Sequence, residues 1–180
     1  MTEEDFGDLY TSLKSAIFAF AARRVGPESA KDVLSDTFEV AWSKRHEFPA
    51  DRSAWAAWVV GIAKNKVLQE LQRHRRKHHD SRFVADWVSP THEPASEDAS
   101  RIVVEQDIGR RVYGDLSPAE QLLFDIAFIR ELSPEGAAAV LGISLTAYTT
   151  RVSRLRQRLR LLQQQANDTA NDLIDSKEIS

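Results

Sequence analysis

The sequence predicts an all-α protein of two small helical domains joined by a flexible acidic linker, and three observations predict it. Apolar residues recur at three- and four-residue spacing in segment after segment, the pattern of a helix that buries one face. Serine–proline pairs and glycines punctuate those segments where helices start and stop. Between Asp80 and Ser100 the periodicity collapses into a stretch rich in proline, serine and acid, which divides the chain.

Residues 6–25 place Leu9, Leu13, Ile17, Phe20 and Ala21 on one helical face, and Gly26-Pro27 ends that helix. From Glu28 to Arg45 the inward stripe is Ala30, Leu34, Phe38 and Ala41, with Trp42 at its margin. Asp32, Asp36 and Glu39 line up on the far side, either as a solvated face or as a docking surface for a basic partner. Pro49, Asp51 and Ser53 make residues 46–54 a loop. The helix from Trp55 to His79 organises the first domain: Trp55, Trp58, Val59, Ile62 and Ala63 form its apolar stripe, with Gly61, Lys64 and Asn65 opposite. From Gln72 onward Arg73, His74, Arg75, Arg76, Lys77, His78 and His79 surround the axis, leaving no face to bury. Such an end either dissolves in water or meets a polyanion.

Past the tether, Ile102, Val103 and Ile108 offer a weak helical stripe. Leu116-Ser117-Pro118-Ala119-Glu120 is a capping box with proline at the first helical position, and Leu122, Leu123, Ile126, Ala127 and Ile129 supply the core face that follows. Ser133-Pro134-Glu135 repeats the device, and that short helix ends at Gly142, a residue suited to a left-handed turn. Ser144 caps a last helix from Leu145 to about Gln164, with Val152, Leu155, Leu159 and Leu162 as its seam and Arg151, Arg154 and Arg158 outward.

At 180 residues with 42% apolar content and four Trp, the chain has room for two compact cores. The absence of cysteine removes disulfides, thiolate nucleophiles and cysteine-bound zinc. No run of about 18 apolar residues and no basic-then-apolar leader occurs, so a cytoplasmic protein without a membrane partner is expected. The formal charge of −3 hides an asymmetry: acids crowd the start and the tether, and cations concentrate in two helices. No glycine-rich phosphate loop, serine elbow or catalytic carboxylate pair is present, and His74, His78 and Asp80 lack the further ligand and base a metal site needs. Neither enzymatic activity nor a metal or cofactor is expected.

A short alanine-rich helix with Ala137, Ala138 and Ala139, a glycine turn and a longer basic helix are the parts of a helix-turn-helix. Thr146, Thr149 and Thr150, with Tyr148 nearby, bring hydrogen-bonding groups to the start of its second helix. Arg151, Arg154, Arg156 and Arg158 follow as phosphate neutralisers or guanine readers.

The segments Ala30 to Trp42 (AKDVLSDTFEVAW) and Ala57 to Asn65 (AWVVGIAKN), followed by Leu116-Ser117-Pro118 and the Gly142-Ile143-Ser144 turn, resemble the two conserved regions of bacterial sigma factors of the extracytoplasmic-function class. The resemblance spans roughly residues 6–163. It implies a region 2-like domain over residues 1–81, a linker over 82–110, a region 4-like helix-turn-helix over 111–164 and a flexible acidic tail over 165–180. It further implies that Asp32, Asp36 and Glu39 dock on the β′ clamp helices of core RNA polymerase, with a second contact to the β flap. The loop matching His46 to Ser53, with the helix after it, is implied to capture an unstacked base of the −10 element and hold the opened strand, and Lys64, Asn65, Lys66, Arg73, Arg75 and Arg76 become candidates for that surface. Thr146, Tyr148, Thr149, Thr150, Arg151, Arg154 and Arg158 become candidates for reading the −35 duplex. An anti-sigma factor is an implied partner. Gly61 and Thr149 stand where the family has, respectively, a large and often basic residue and a lysine. The alternatives are a self-sufficient helix-turn-helix regulator and a sigma/anti-sigma interaction adaptor, neither of which needs the aromatic-anchored helix beside an acidic row.

Overall fold

The computed structural model describes the backbone of residues 1–77 and 109–178, and the side chains of 1–76 and 109–166. Within these limits the chain is helices and turns, with no strand among the described residues. The tether expected over residues 82–110 falls outside the description except for residues 109 and 110, which open a helical stretch that runs to 114.

Helix α1 (Glu3–Val25) starts at a capping box: the Thr2 hydroxyl accepts from the Asp5 amide at 3.1 Å and the Asp5 carboxylate accepts from the Thr2 amide at 3.0 Å. Gly26, at φ +83°, makes the corner into α2 (Pro27–Ser43), whose first residue is the proline that tolerates a missing N–H there. Helix α3 (Trp55–Lys77) follows a 3₁₀ turn at Arg52–Ala54. These three helices pack pairwise on one another. Their shared core is Leu13, Ile17, Phe20 and Ala21 from α1, Ala30, Val33, Phe38 and Ala41 from α2, and Val59, Val60, Ala63 and Val67 from α3.

Two details differ from the stripe read off the sequence. Val33 is buried and Leu34 only half-buried, so the α2 face is rotated by one residue from the expected one. On α3 the innermost residues are Val59, Val60, Ala63 and Val67, while Trp58 and Ile62 are half-buried. The reason is that α3 is packed on more than one side, by α1 and α2 and also by a later helix, so its apolar surface is wider than a single stripe.

Helices α4 (Pro118–Ala127), α5 (Pro134–Leu141) and α6 (Leu145–Glu178) complete the order. Ser117 and Glu120 form the expected capping box, with Ser117 N–H donating to the Glu120 carboxylate at 2.9 Å. Ser133 caps α5 by accepting from the Gly136 amide at 3.0 Å. After α5, Gly142 adopts φ +70°; its amide donates to the Ala139 carbonyl and that of Ile143 to Ala138, both at 3.1 Å. This is the Schellman arrangement, in which the left-handed residue lets two orphan carbonyls find donors. Helix α6 does not end near Gln164: no glycine or proline interrupts the sequence, and the helix continues to Glu178 in place of the flexible tail expected from residue 165.

The described residues form two compact units. One gathers α1, α2 and α3 with residues Ile126–Leu145, and therefore α5; the other holds the residues up to Asp125 and those from Thr146 onward. In the second unit Leu116, Leu123, Tyr148, Val152 and Leu155 are buried. Asp125, 1% exposed, accepts a hydrogen bond from the Tyr113 hydroxyl at 2.8 Å, so its carboxylate is not left without a partner in the core.

Candidate nucleic-acid interface

The acidic row on α2 is present as a surface: Asp32, Asp36 and Glu39 are all exposed while Thr37 beside them is fully buried, its hydroxyl returned to the Val33 carbonyl at 2.6 Å. Asp36 also accepts an ion pair from Lys66 of α3 at 3.1 Å. A groove runs between the two helices, lined by Asp32, Ser35, Asp36, Lys66, Gln69 and Arg73 among others. Asp32 and Asp36 rim its α2 side, and Lys66, Glu70 and Arg73 its α3 side.

The loop between α2 and α3 is held by aromatic packing. Phe48 lies 4.2 Å from the Trp58 ring centroid and meets Trp55 edge-on at 5.8 Å, and the Trp55 indole N–H donates to the Pro49 carbonyl at 2.8 Å. Asp51 accepts from both the amide and the hydroxyl of Ser53, at 2.9 and 2.6 Å, and these bonds hold its carboxyl below the usual range. Arg52 stacks over Trp55 at 4.8 Å and pairs with Asp5, tying the loop to the first turn of α1. The loop read from the sequence over residues 46–54 is therefore a braced element.

Along α3 the candidate cations divide. Lys64 is half-buried and its ammonium donates to the Val140 carbonyl of α5. Lys66 is paired with Asp36, and Arg73 with Glu70 at 2.8 Å. Asn65, Arg75 and Arg76 are exposed. Glu70, whose side chain is 12% exposed, also meets His74 Nε2 at 2.7 Å, and the Ser29 hydroxyl of α2 lies 3.4 Å from both. Burial pushes the Glu70 carboxyl up, but the hydrogen bonds and charges of Arg73 and His74 outweigh it and leave the group below its ordinary value. Glu70 was not among the sequence candidates; its spacing of three and four residues before Arg73 and His74 is the pattern that finds it. Of the grouping weighed for a metal, His78 and Asp80 lie outside the described residues, and His74 is engaged as above.

On α6, Thr146, Thr149, Thr150, Arg151 and Arg154 are exposed on the turns that follow the Gly142 corner. Tyr148 corrects the sequence reading. It is 7% exposed and shares the seam of Val152 and Leu155 at i, i+4 and i+7, so it is a packing residue, and burial raises its hydroxyl above the usual tyrosine value. Arg158 is occupied at the surface: it donates to the Asp115 carbonyl at 3.3 Å and lies 3.5 Å from the Glu120 carboxylate, fastening α6 to the turn before α4.

Residues 9–77 match the Sigma-70 region 2 family. The ECF RNA polymerase sigma factor RpoE of Cereibacter sphaeroides is 26% identical over 159 residues, 88% of this chain and 86% of that protein. The RNA polymerase sigma factor CnrH of Cupriavidus metallidurans is 30% identical over 168 residues, 87% of this chain and 85% of that protein. This chain is a sigma factor of the extracytoplasmic-function (ECF) family. The fold agrees: the sigma factor RpoE of Bartonella quintana, solved in complex with the anti-sigma factor NepR, superposes with a TM-score of 0.67 at 26% identity, covering 89% of this chain and 98% of that one. As an ECF sigma factor the protein works in transcription initiation, and its relatives are regulatory rather than catalytic proteins. No helix among the described residues is long and apolar enough to cross a membrane.

Proposed function

We propose that this sigma factor docks on core RNA polymerase through α2, holds the opened strand of the −10 element against α3 and the loop before it, and reads the −35 duplex with α6. The observation that carries the reading is the pairing of two surfaces on one chain: an exposed carboxylate row at Asp32, Asp36 and Glu39, and exposed Thr146, Thr149, Thr150, Arg151 and Arg154 at the start of the helix that follows the Schellman turn. An acidic row suits a basic protein partner, here the β′ clamp helices, while threonine hydroxyls and guanidiniums suit base edges and phosphates in a major groove. Asn65, Arg75 and Arg76 are the open members of the −10 set; Lys64, Lys66 and Arg73 join by exchanging their present partners. Arg158 plays the supporting part, holding α6 in place.

In this reading residues 1–81 and 111–164 are the two functional modules, 82–110 the linker threaded through the polymerase and 165–180 the acidic end. Neither DNA contact needs high affinity alone, because attachment to one polymerase, with the β flap receiving the second module, makes the other contact effectively intramolecular. Melting is driven by binding: an unstacked base is trapped and the phosphates of the single strand are screened, with no covalent chemistry in the sigma subunit. An anti-sigma factor is the expected regulator, by analogy with the RpoE–NepR complex. The working compartment is the cytoplasm. Reconstitution with core polymerase tests the whole: co-elution and footprints over two promoter elements are expected. A polymerase fraction lacking the chain, or transcripts independent of it, refutes the proposal.

A further inference from the structure

The charges along α6 form one strip. Arg151, Arg154, Arg158, Leu161, Gln165, Asp168, Asp172 and Asp175 follow one another at alternating three- and four-residue steps, so they lie along a single side of the helix that runs to Glu178. Arg151 and Arg154 are exposed, and Leu161 near the middle of the strip is 60% exposed, the most open large apolar side chain among the described residues. The helix dipole does not account for this order, since it favours cations toward the C-terminal end, where the strip carries its acids. Beside the strip the apolar seam changes character: Val152 and Leu155 are buried, whereas Leu159 and Leu162 are only half-buried. Past Leu155 the helix thus carries more apolar surface than its own unit covers.

The strip is complementary to itself end for end. A two-fold axis across α6 at Gln163 sets Arg151 opposite Asp175, Arg154 opposite Asp172 and Arg158 opposite Asp168, with Leu161 opposite Gln165. A parallel pairing would instead bring arginine against arginine and aspartate against aspartate. We infer that two copies of this chain pair antiparallel through α6, the arginine end of each strip against the aspartate end of the other, with Leu159 and Leu162 covered beside them. Arg158 enters by giving up its present bond to the Asp115 carbonyl and its approach to Glu120. Charges flanking a helix pair set its orientation and partner more than its affinity, so the pair is weak and salt-sensitive. Arg151 and Arg154 are also the residues that the proposed function gives to the −35 duplex. On that reading the paired form cannot read DNA with them, and pairing holds part of the protein out of use.

Sedimentation equilibrium of the full-length protein, without DNA, tests the pairing apart from the −35 reading. At about 1–100 μM in low salt a monomer–dimer equilibrium is expected, shifted toward monomer as salt is raised. The double variant Arg151→Glu with Arg154→Glu turns the cationic end of the strip acidic, and Asp172→Lys with Asp175→Lys turns the acidic end cationic. Each then meets its own sign in a self-pair and should dimerise at least about tenfold more weakly than the natural sequence. Mixed in equal amounts, the two variants restore an opposite charge at every position and should recover a dimer of natural strength. Circular dichroism checks that each variant keeps its helices; if one does not, the other still decides, because each reverses one half of the strip. A natural protein that stays monomeric throughout overturns the pairing. So do folded variants that each pair as tightly as the natural chain, or a mixture no tighter than its components. With no DNA present, a failure of the −35 role alters none of these outcomes.

Discussion

Helices α3 and α6 both carry basic stretches, yet they hold their cations differently. On α3 the ammonium of Lys64 is bonded to a helix-end carbonyl, that of Lys66 to Asp36 and the guanidinium of Arg73 to Glu70. On α6, Arg151 and Arg154 stand exposed with no ion pair among the described residues. A free arginine can neutralise a phosphate at the cost of its own ordering, whereas a paired cation must first give up its partner. In the proposed function, the α6 face would then bind on encounter. In the proposed reading Arg75 and Arg76 of α3 are open like the α6 pair, whereas Lys64, Lys66 and Arg73 join strand capture only by exchanging their present partners.

The largest expected effect breaks the comparison from the acidic side. Asp36→Arg replaces the acceptor of Lys66 with a repelling charge in the middle of the α2 row and should abolish co-elution with core polymerase. Asp36 is exposed, so the thermal unfolding of the isolated protein should move by no more than about 0.5 kcal/mol in stability. Retained pull-down by a folded variant would remove α2 from the docking surface. Next in size is Arg151→Ala, which should weaken binding of a −35 duplex by about 1–3 kcal/mol and flatten its salt dependence by about one phosphate contact, with no loss of stability. An unchanged salt slope would take Arg151 off the DNA.

Much of this division was legible in the sequence. The capping box at Ser117 and the left-handed corner at Gly142 are local chemistry, fixed within four residues of chain, and formed as read, while Ser133 makes a simple cap because Gly136 has no side chain to return the bond. The acidic row followed from helical spacing alone. Pairing across elements was not legible, because the sequence does not say which helix presents itself to a given cation: Lys64 reaches a carbonyl 76 positions away, and Lys66 a carboxylate 30 positions away. The width of the α3 apolar surface was missed for the same reason, since the helix that covers its Trp58 side comes from beyond the tether.

A smaller effect sharpens the account of α3. Glu70→Gln removes the charge that gathers Arg73 and His74 and should cost about 1 kcal/mol of stability at neutral pH while leaving duplex binding by α6 untouched. The Glu70 carboxyl is depressed in the folded protein from an ordinary value of 4.5. Its contribution is therefore fully present above that value and is lost as pH falls through the lower folded one. Urea unfolding of the two proteins should differ at pH 7 and converge in acid once pH has fallen through the lowered folded value. A gap that persists there would mean that packing, not charge, explains the difference.

The smallest expected effect tests the correction on α6. If Tyr148 met a base or a phosphate, removing its hydroxyl would cost a hydrogen bond and lower duplex affinity several-fold, by the roughly 1 kcal/mol typical of such a contact. Its burial at 7% exposure beside Val152 and Leu155 instead places the ring in the seam of the second unit, where the ring carbons do the packing. Tyr148→Phe keeps those carbons and should leave −35 duplex affinity within about twofold of the natural protein, whereas Tyr148→Ala should destabilise the unit by about 3–5 kcal/mol through the cavity it leaves. The two substitutions thus separate contact from packing. A Phe variant that folds normally but binds several-fold more weakly would return Tyr148 to the DNA surface and require α6 to present a different face from the one described.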